Sequence, residues 1–366
     1  MLLDKITTDV NKKRLTIEKL QRSKLPLVIY GAGSYASYLM KFLDRYGIGI
    51  DAACVDAEYI DKGLFLNERL HVTTIEDICK KYDNFNVLIG FSDYRKAQMK
   101  LSNIQSIAEI FFIDTTDKLD FLDYQYIVDN LENFEFTYNL LGDQLSKDTF
   151  IAFINAKISG QPDDLYELMD EKPYFTDILS FDLNEVFVDC GAYDGDTILE
   201  FVKRTNGDYD KIYAFEPDEK NYKALTQTII QNGINHVQLY QMGCWHSKVT
   251  LRFSSSANMN SHISDMGETT VEVEAIDNIV DQERVTFIKM DIQGSELTAL
   301  HGAESTIKKS KPKLAICIYH KPEDMITIPQ YIYSIMPDYK FFLRNHQFIS
   351  KETVLYAIPT SGENKK

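Results

Sequence analysis

Val186-Phe-Val-Asp-Cys-Gly-Ala-Tyr-Asp-Gly-Asp-Thr197 is the stretch that decides the fold of this chain. It begins with the apolar run Val186–Val188, which predicts a buried strand, and it breaks at the glycine turn Gly191–Gly195. The residues Thr197–Val202 follow with the apolar spacing of a helix. A strand, a glycine turn and a helix present free backbone N–H groups and a helix N-terminus to a ligand. The stretch therefore predicts an α/β sheet with a ligand site at this turn.

An acidic residue follows the next predicted strand. Lys211–Phe215 leads directly into Glu216 and Pro217, about 20 residues after the glycine turn. An acid at the end of the second strand of an α/β unit is placed to accept hydrogen bonds from ribose hydroxyls. Together the turn and Glu216 predict an adenosine-type cofactor site.

Four motifs in order carry a resemblance to a known family. They are Phe187–Thr197, Ala214–Pro217, Phe287–Glu296 and Pro312–Asp324. In this order they resemble the FkbM family of S-adenosylmethionine (SAM) dependent methyltransferases, over roughly residues 175 to 358. The resemblance implies SAM as the cofactor and a methyltransferase of the class I fold.

With SAM as the implied cofactor, several residues are expected at its site. Gly191 and Gly195 would allow close approach, Asp196 and Thr197 would orient the amino acid part, and Glu216 would hold the ribose. Asp189 would act indirectly through the turn. In this fold, the loop after the strand Val237–Met242 commonly touches the adenine. The complete predicted set is Asp189, Gly191, Tyr193, Gly195, Asp196, Thr197, Glu216, Gly243 and Cys244.

Two titratable residues end predicted strands in the second half of the chain. Asp291 follows Phe287–Met290, and His320 follows Leu314–Tyr319. Because ligands bind beyond the carboxyl ends of strands in open α/β sheets, we predict that one of these residues is the general base, with Glu296 as a third candidate. Asp291 could instead bind cofactor or shape its loop, and His320 could simply cap its strand. No ligand spacing supports a metal site made of these residues, and none is predicted.

A second glycine turn lies near the N-terminus. Gly31-Ala-Gly-Ser-Tyr-Ala36 follows the apolar run Leu25–Tyr30, and the next predicted strand ends at Asp56. This part resembles N-terminal domains of enzymes that modify sugars of bacterial surface polysaccharides, which implies a nucleotide or nucleotide-sugar at Gly31, Gly33 and Asp56. An NAD site and a purely structural loop remain alternative interpretations, because a lone GxGxxA turn has little specificity.

The alternation of strands and helices predicts an α/β protein with two Rossmann-like domains. The second has the class I methyltransferase fold, with a mainly parallel sheet and an antiparallel edge. The predicted segments are a leading helix (1–23), the Rossmann-like N-terminal domain (24–118), a mostly helical connector (119–181), the SAM-dependent methyltransferase domain (182–359) and a disordered tail (360–366).

The composition indicates which acceptors and which cellular compartment are expected. A net charge of −16 over 366 residues argues against a nucleic acid acceptor, because phosphate binding relies on clustered Lys and Arg. The five cysteines show no CxxC spacing, which fits a reducing cytoplasm. No apolar run approaches the length that spans a bilayer. The formation of a homo-oligomer is left as an open alternative.

The resemblance implies SAM-dependent methyl transfer, to an oxygen of a sugar or other small hydroxylated acceptor in polysaccharide or glycoconjugate biosynthesis. Gln293 departs from the FkbM family, which often has Asp-x-Glu-Gly where this chain has Asp291-Ile-Gln-Gly294. Because Gln293 cannot act as an ionised base, an inactive nucleotide-sugar-binding or scaffold protein remains an alternative. An NAD-dependent oxidoreductase that uses the first glycine turn is a third interpretation.

Overall fold

The computed structural model describes residues 2–7, 12–60, 64–114, 122–254, 262–263 and 269–360. The predicted tail, from residue 361 onward, and part of the predicted leading helix lie outside the described residues. The chain divides into two compact units. Unit 1 contains Met1–Asp129, Ile151–Met169 and Gln347–Lys351, and unit 2 contains Asn130–Phe150, Asp170–His346 and Glu352–Lys366.

The N-terminal part of unit 1 alternates helices with short strands. In chain order these are α1 (Lys12–Arg22), β1 (Leu27–Tyr30), α2 (Ser34–Asp44), β2 (Ala52–Val55), β3 (Phe65–Leu66), β4 (Leu70–Thr74), α3 (Ile75–Lys81), β5 (Phe85–Ile89), α4 (Tyr94–Leu101), β6 (Ile107–Phe111) and α5 (Tyr124–Asp129). The strand order is β3-β4-β2-β1-β5-β6, and every pairing except β3 with β4 is parallel. β1 and β5 are buried along their whole length, which is typical of central parallel strands.

The helical segment predicted as a connector is shared between the two units. It contains α6 (Leu131–Leu140) in unit 2, α7 (Gln144–Ser159), which has residues in both units, and α8 (Asp163–Glu167) in unit 1. Among the described residues, no helix combines the length and the apolarity needed to cross a membrane.

The rest of the chain supplies the strands and the remaining helices of unit 2. These are β7 (Val186–Cys190), α9 (Asp196–Arg204), β8 (Lys211–Phe215), α10 (Glu219–Gln231), β9 (Val237–Tyr240), β10 (Gly243–Trp245), β11 (Val249–Ser254), β12 (His262–Ile263), β13 (Thr269–Ala275), α11 (Ile276–Val280), β14 (Phe287–Met290), α12 (Glu296–His301), α13 (Glu304–Ser310), β15 (Lys313–Cys317), α14 (Asp324–Ile335), β16 (Tyr339–Asn345) and β17 (Thr353–Pro359).

The main sheet of unit 2 has the strand order β16-β17-β15-β14-β7-β8-β9. The strands from β15 to β9 run parallel, whereas β17 is antiparallel to β15 and β16 is antiparallel to β17. The predicted α/β fold, mainly parallel with an antiparallel edge, is confirmed. A smaller sheet has the order β10-β13-β11-β12.

Aromatic packing holds the central strands of unit 2 in place. The ring of Phe187 on β7 stacks on Phe287 of β14, with ring centroids 4.9 Å apart, and Phe201 of α9 packs on Phe187 at 4.7 Å. All three side chains are buried, and each burial stabilises the fold by about 1.5–3 kcal/mol. The parallel register pairs Cys190 with Met290, so the turn after β7 and Asp291 after β14 emerge side by side.

Candidate active site

The glycine turn after β7 packs against the chain that follows β14. Gly191 has φ +81°, and a Cβ on it would lie 2.0 Å from the carbonyl oxygen of Asp291. Gly195 has φ +92°, and its Cβ would lie 3.1 Å from Leu225. Glycine is therefore required at Gly191 by the protein's own backbone, in addition to any room that it leaves for a ligand.

The expectation that this turn presents free N–H groups is wrong for most of its residues. Gly191 and Ala192 both donate to the carbonyl of Phe215, and Tyr193 N–H donates to Glu216 Oε2 at 3.0 Å. Gly195 N–H donates to Ala192. The reason is that the end of the neighbouring strand β8 lies close enough to accept these bonds, so recognition of a ligand falls largely to side chains.

Asp189 lies beneath the turn and does not reach its surface. Its side chain is fully buried, and Oδ1 lies 3.0 Å from Nζ of the equally buried Lys289. Lys289 also donates to the carbonyl oxygen of Gly191 at 2.6 Å. Burial raises the pKa of Asp189 to about 6, against the attraction of Lys289. The pair therefore supports the turn from below, and an indirect role of Asp189 in cofactor binding stays a prediction.

Glu216 lies at the end of β8, next to the glycine turn. Oε2 accepts the Tyr193 N–H, and Oε1 accepts the Asp218 N–H at 2.9 Å. Only 6% of Glu216 is exposed, and this burial raises the pKa of its carboxyl to about 7. A carboxylate offers about four lone-pair positions, and the Asn221 side chain also hydrogen-bonds to this one, so acceptor capacity remains for a ribose hydroxyl.

Asp196 and Thr197 begin α9, as predicted, and line a common cavity. Asp196 Oδ1 accepts the Thr197 N–H at 2.6 Å. The cavity has a volume of about 330 Å³, and Tyr174 and Arg204 also line it. It extends along α9 from Asp196 to Arg204 and is lined by charges of both signs.

Gly243, Cys244 and Trp245 form the short strand β10, where a loop was expected. β10 pairs with β13, and a Cβ at Gly243 would lie 3.1 Å from Val273. Cys244 is buried, and its thiol hydrogen-bonds with that of Cys190, the last residue of β7. Cys244 is thus close to the glycine turn, with its thiol directed into the core.

Asp291, His320 and Glu296 come together beyond the ends of β14 and β15, as the strand positions predict. His320 Nδ1 lies 2.9 Å from Glu296 Oε1, and Nε2 lies 3.5 Å from Asp291 Oδ1. Glu296 is fully buried and also accepts the Ile292 N–H at 2.8 Å, which ties it to the turn after β14. Burial alone would lower the pKa of His320, but Glu296 and Asp291 raise it to about 9.

The sequence interpretation missed the residues that surround Asp291 on its other side. Tyr174 Oη donates to Asp291 Oδ2 at 2.9 Å and lies 3.1 Å from Glu352 Oε2. Tyr319 Oη lies 3.5 Å from Asp291 Oδ1 and 3.3 Å from Glu352 Oε1. No motif marks Tyr174 or Glu352. Both residues have a positive φ, but this backbone conformation is visible only in the structure and could not have been found from the sequence.

Among the residues that the structure describes, two groups of His, Cys, Asp and Glu side chains lie close together. The ligand atoms of Asp291, Glu296 and His320 lie within 4.8 Å of one another, and so do those of Asp291, Cys317 and Glu352. In the first group, both ring nitrogens of His320 already face carboxylates. The two carboxylates therefore neutralise a protonated His320 ring. A protonated ring supplies the positive charge that a bound metal ion would otherwise supply.

The predicted N-terminal site forms a cavity within unit 1. Gly31, Gly33 and Asp56 all line a space of about 630 Å³, together with Lys100 and Tyr30. Tyr30 donates to Asp56 Oδ1 at 2.7 Å, and Lys100 Nζ lies 2.6 Å from Oδ2. Burial alone would raise the pKa of Asp56, but these two partners lower it.

The second half of the chain matches a described protein family. Residues 189–349 fit the methyltransferase FkbM domain. This part of the chain is an FkbM methyltransferase domain. The resemblance carried by the motifs is thereby confirmed, and Asp189, Glu216, Asp291 and His320 all lie within the matched range.

Solved structures similar to this chain include other methyltransferases. Methyltransferase FkbM from Methylobacillus flagellatus KT is 25% identical, over 96% of this chain and 94% of that chain, with a TM-score of 0.71. An rRNA methylase from Streptococcus thermophilus is 18% identical over 53% and 89% of the two chains (TM-score 0.32). A SAM dependent methyltransferase from Aquifex aeolicus is 15% identical over 48% and 84% (TM-score 0.29). No curated protein matches the chain.

Proposed function

We propose that the FkbM domain binds SAM and transfers its methyl group to a hydroxyl of a small acceptor. The observation that carries this proposal is Glu216, a buried carboxylate fixed by two backbone N–H groups beside the glycine turn. Its remaining acceptor capacity suits a hydroxyl of a ribose. Asp196 and Thr197, at the cavity beside α9, would hold the amino acid part.

SAM would supply a methyl group on a sulfonium, which is already a good leaving group. The protein then has to align the acceptor and remove its proton, and positioning can provide most of the rate. Asp291 is our candidate for the base, since it stands at the end of β14 with 16% of its side chain exposed. At neutral pH His320 is protonated, because its pKa is about 9, so it is suited to donate a hydrogen bond and not to act as the base.

Calorimetry with S-adenosylhomocysteine, the demethylated product, tests the donor site. Transfer of a radioactive methyl group from SAM to a panel of UDP-sugars and methyl glycosides tests the reaction. We expect binding by the wild-type chain and by Asp291→Asn, with transfer reduced at least 100-fold in the variant. An absence of binding refutes the proposal. Binding without transfer to any acceptor of the panel favours the alternative of an inactive scaffold protein.

We further propose that the acceptor is a sugar or glycoconjugate and that the reaction is cytoplasmic. The first point rests on the resemblance of the N-terminal domain to those of sugar-modifying enzymes. The second is supported by the five cysteines, which are all free thiols. Polysaccharide biosynthesis is the process that fits both.

A second candidate function belongs to unit 1, where we propose a site for a nucleotide or nucleotide-sugar. The cavity of about 630 Å³ supports it, because its glycines, the acidic Asp56 and the basic Lys100 suit a ribose and phosphates. Thermal shifts with UDP-sugars, NAD and SAM separate the possibilities. We expect UDP-sugars to raise the Tm and Asp56→Asn to abolish that shift while leaving the shift with SAM intact. A shift with NAD alone would favour an oxidoreductase site.

A further inference from the structure

The hydrogen bonds around Asp291 require more protons than the two phenols can supply. Tyr174 Oη contacts both Asp291 (2.9 Å) and Glu352 (3.1 Å), and Tyr319 Oη contacts the same two carboxyls at 3.5 and 3.3 Å. A phenol has one proton and donates to one acceptor at a time. The four contacts are therefore better satisfied when one carboxyl is protonated and donates to a phenol oxygen.

The backbone at this cluster is strained. Tyr174 has φ +61°, Glu352 has φ +54° and Gln293, whose amide lies 3.5 Å from Asp291 Oδ1, has φ +56°. A bulky residue in this region is destabilised by about 1–3 kcal/mol and persists only where its surroundings fix it. Tyr174 is fixed by its N–H, which donates to Tyr356 Oη at 3.0 Å. Strain of this kind concentrates at functional sites.

The members of the cluster differ in exposure. Asp291 is partly exposed, whereas Tyr174 and Glu352 are both buried. Tyr174 also lines the cavity beside α9, with Asp196 and Thr197. From Asp291, the Tyr174 oxygen leads directly to Glu352.

We propose that Tyr174 and Glu352 form a relay that takes the acceptor's proton from Asp291. The proposal rests on the proposed function, with Asp291 as the base. As the acceptor's oxygen forms its bond to the methyl carbon, the carbon–sulfur bond breaks and its electron pair stays on sulfur. The acceptor's proton passes to Asp291, Asp291 protonates the Tyr174 oxygen, and the phenolic proton of Tyr174 moves to Glu352. Asp291 ends the step as a carboxylate, and Glu352 ends it as a carboxylic acid.

The surroundings of Glu352 suit a group that takes up a proton near neutral pH. Burial, and then the negative charge of Asp291, raise its pKa to about 7. Asp291 is also the residue from which the proton would come. The titratable and charged groups that face Glu352 come from several strands and loops: Tyr174, Lys289, Asp291, Cys317, Tyr319 and His320.

Kinetics of Tyr174→Phe and Glu352→Gln test the relay, because both variants keep the size of the side chain. We expect kcat to fall about ten- to 100-fold in each, with the KM for SAM unchanged within twofold. Tyr339→Phe is the matched control and should change kcat by less than about twofold, because its buried hydroxyl donates to the carbonyl of Pro312, before the start of β15 and away from the strand ends where Asp291 and His320 lie. The dependence of kcat on pH should show an inflection for the wild-type chain, at the pH where kcat is half-maximal. This inflection should be absent for Glu352→Gln. Retention of kcat within twofold in Tyr174→Phe, or an unchanged pH profile in Glu352→Gln, overturns the relay.

Infrared difference spectroscopy of the complex with S-adenosylhomocysteine tests the proton site without any acceptor. We expect a carboxylic acid C=O band that titrates near pH 7, is absent from Glu352→Gln and is shifted in frequency in Tyr174→Phe. An identical titrating spectrum in Glu352→Gln overturns the relay even if methyl transfer is found. A failure of the proposed function looks different, because then the wild-type chain itself fails to bind the product or to transfer a methyl group.

Discussion

Neutralising Glu216 should weaken the binding of SAM without unfolding unit 2. In Glu216→Gln, one carboxylate oxygen becomes an NH₂ group of almost the same size. That group opposes one of the two backbone N–H groups that Glu216 now accepts, from Tyr193 and Asp218. It also cannot accept a bond from a ribose hydroxyl.

The expected size of the effect follows from these bonds. The loss of one hydrogen bond to a charged group changes the binding free energy by about 1.5–3 kcal/mol, which is roughly a 10- to 150-fold weaker Kd. The backbone N–H left without an acceptor should also lower the free energy of unfolding by about 1–3 kcal/mol. Both effects should therefore be visible in one variant.

Titration calorimetry with S-adenosylhomocysteine measures the first effect, and urea denaturation measures the second. Glu219→Gln is the matched control, because it removes the same charge three residues away, where Glu219 pairs with Lys223 on the surface. Surface pairs of this kind contribute little. A Kd within twofold of wild type in Glu216→Gln refutes the reasoning, and so does an equal loss in Glu219→Gln.

Other expected outcomes concern the support beneath the turn and its dependence on pH. Lys289→Met should destabilise unit 2 by about 3–5 kcal/mol in urea denaturation, because Asp189 is then buried without a countercharge, and the added change Asp189→Asn should restore much of the loss. Gly191→Ala should lower the free energy of unfolding by about 3 kcal/mol, because its Cβ meets the Asp291 carbonyl and its φ is left-handed; a fully stable variant would contradict this packing. The folded-state pKa of Glu352, about 7, lies above its unfolded value. The contribution of Glu352 to stability is therefore present below about pH 4 and is lost as the pH rises through 7. The fall in Tm between pH 5 and 8 should be smaller in Glu352→Gln.

The pattern of residues along the chain was sufficient to predict the fold and to place several candidate side chains at the ends of their strands. Val186–Val188 is a short apolar run that leads through Asp189 and Cys190 into a glycine turn, and such a run is typical of a central strand. Because the carboxyl ends of parallel strands share one sheet edge, the positions of Glu216, Asp291 and His320 after their strands could be predicted without coordinates. These are local properties, set by composition and spacing.

Sequence alone could not decide what each group does once it is in place. The N–H groups of the turn looked free, but Phe215 at the end of β8 accepts two of them and the Glu216 side chain accepts a third. His320 was a candidate base, and only the presence of two carboxylates at its ring nitrogens gives it a proton at neutral pH. Tyr174 lies 117 positions from Asp291 along the chain, and their contact exists only in the folded sheet. Burial and charge depend on neighbours that are distant in sequence, which is why the tertiary structure alone determines the proton chemistry of this site.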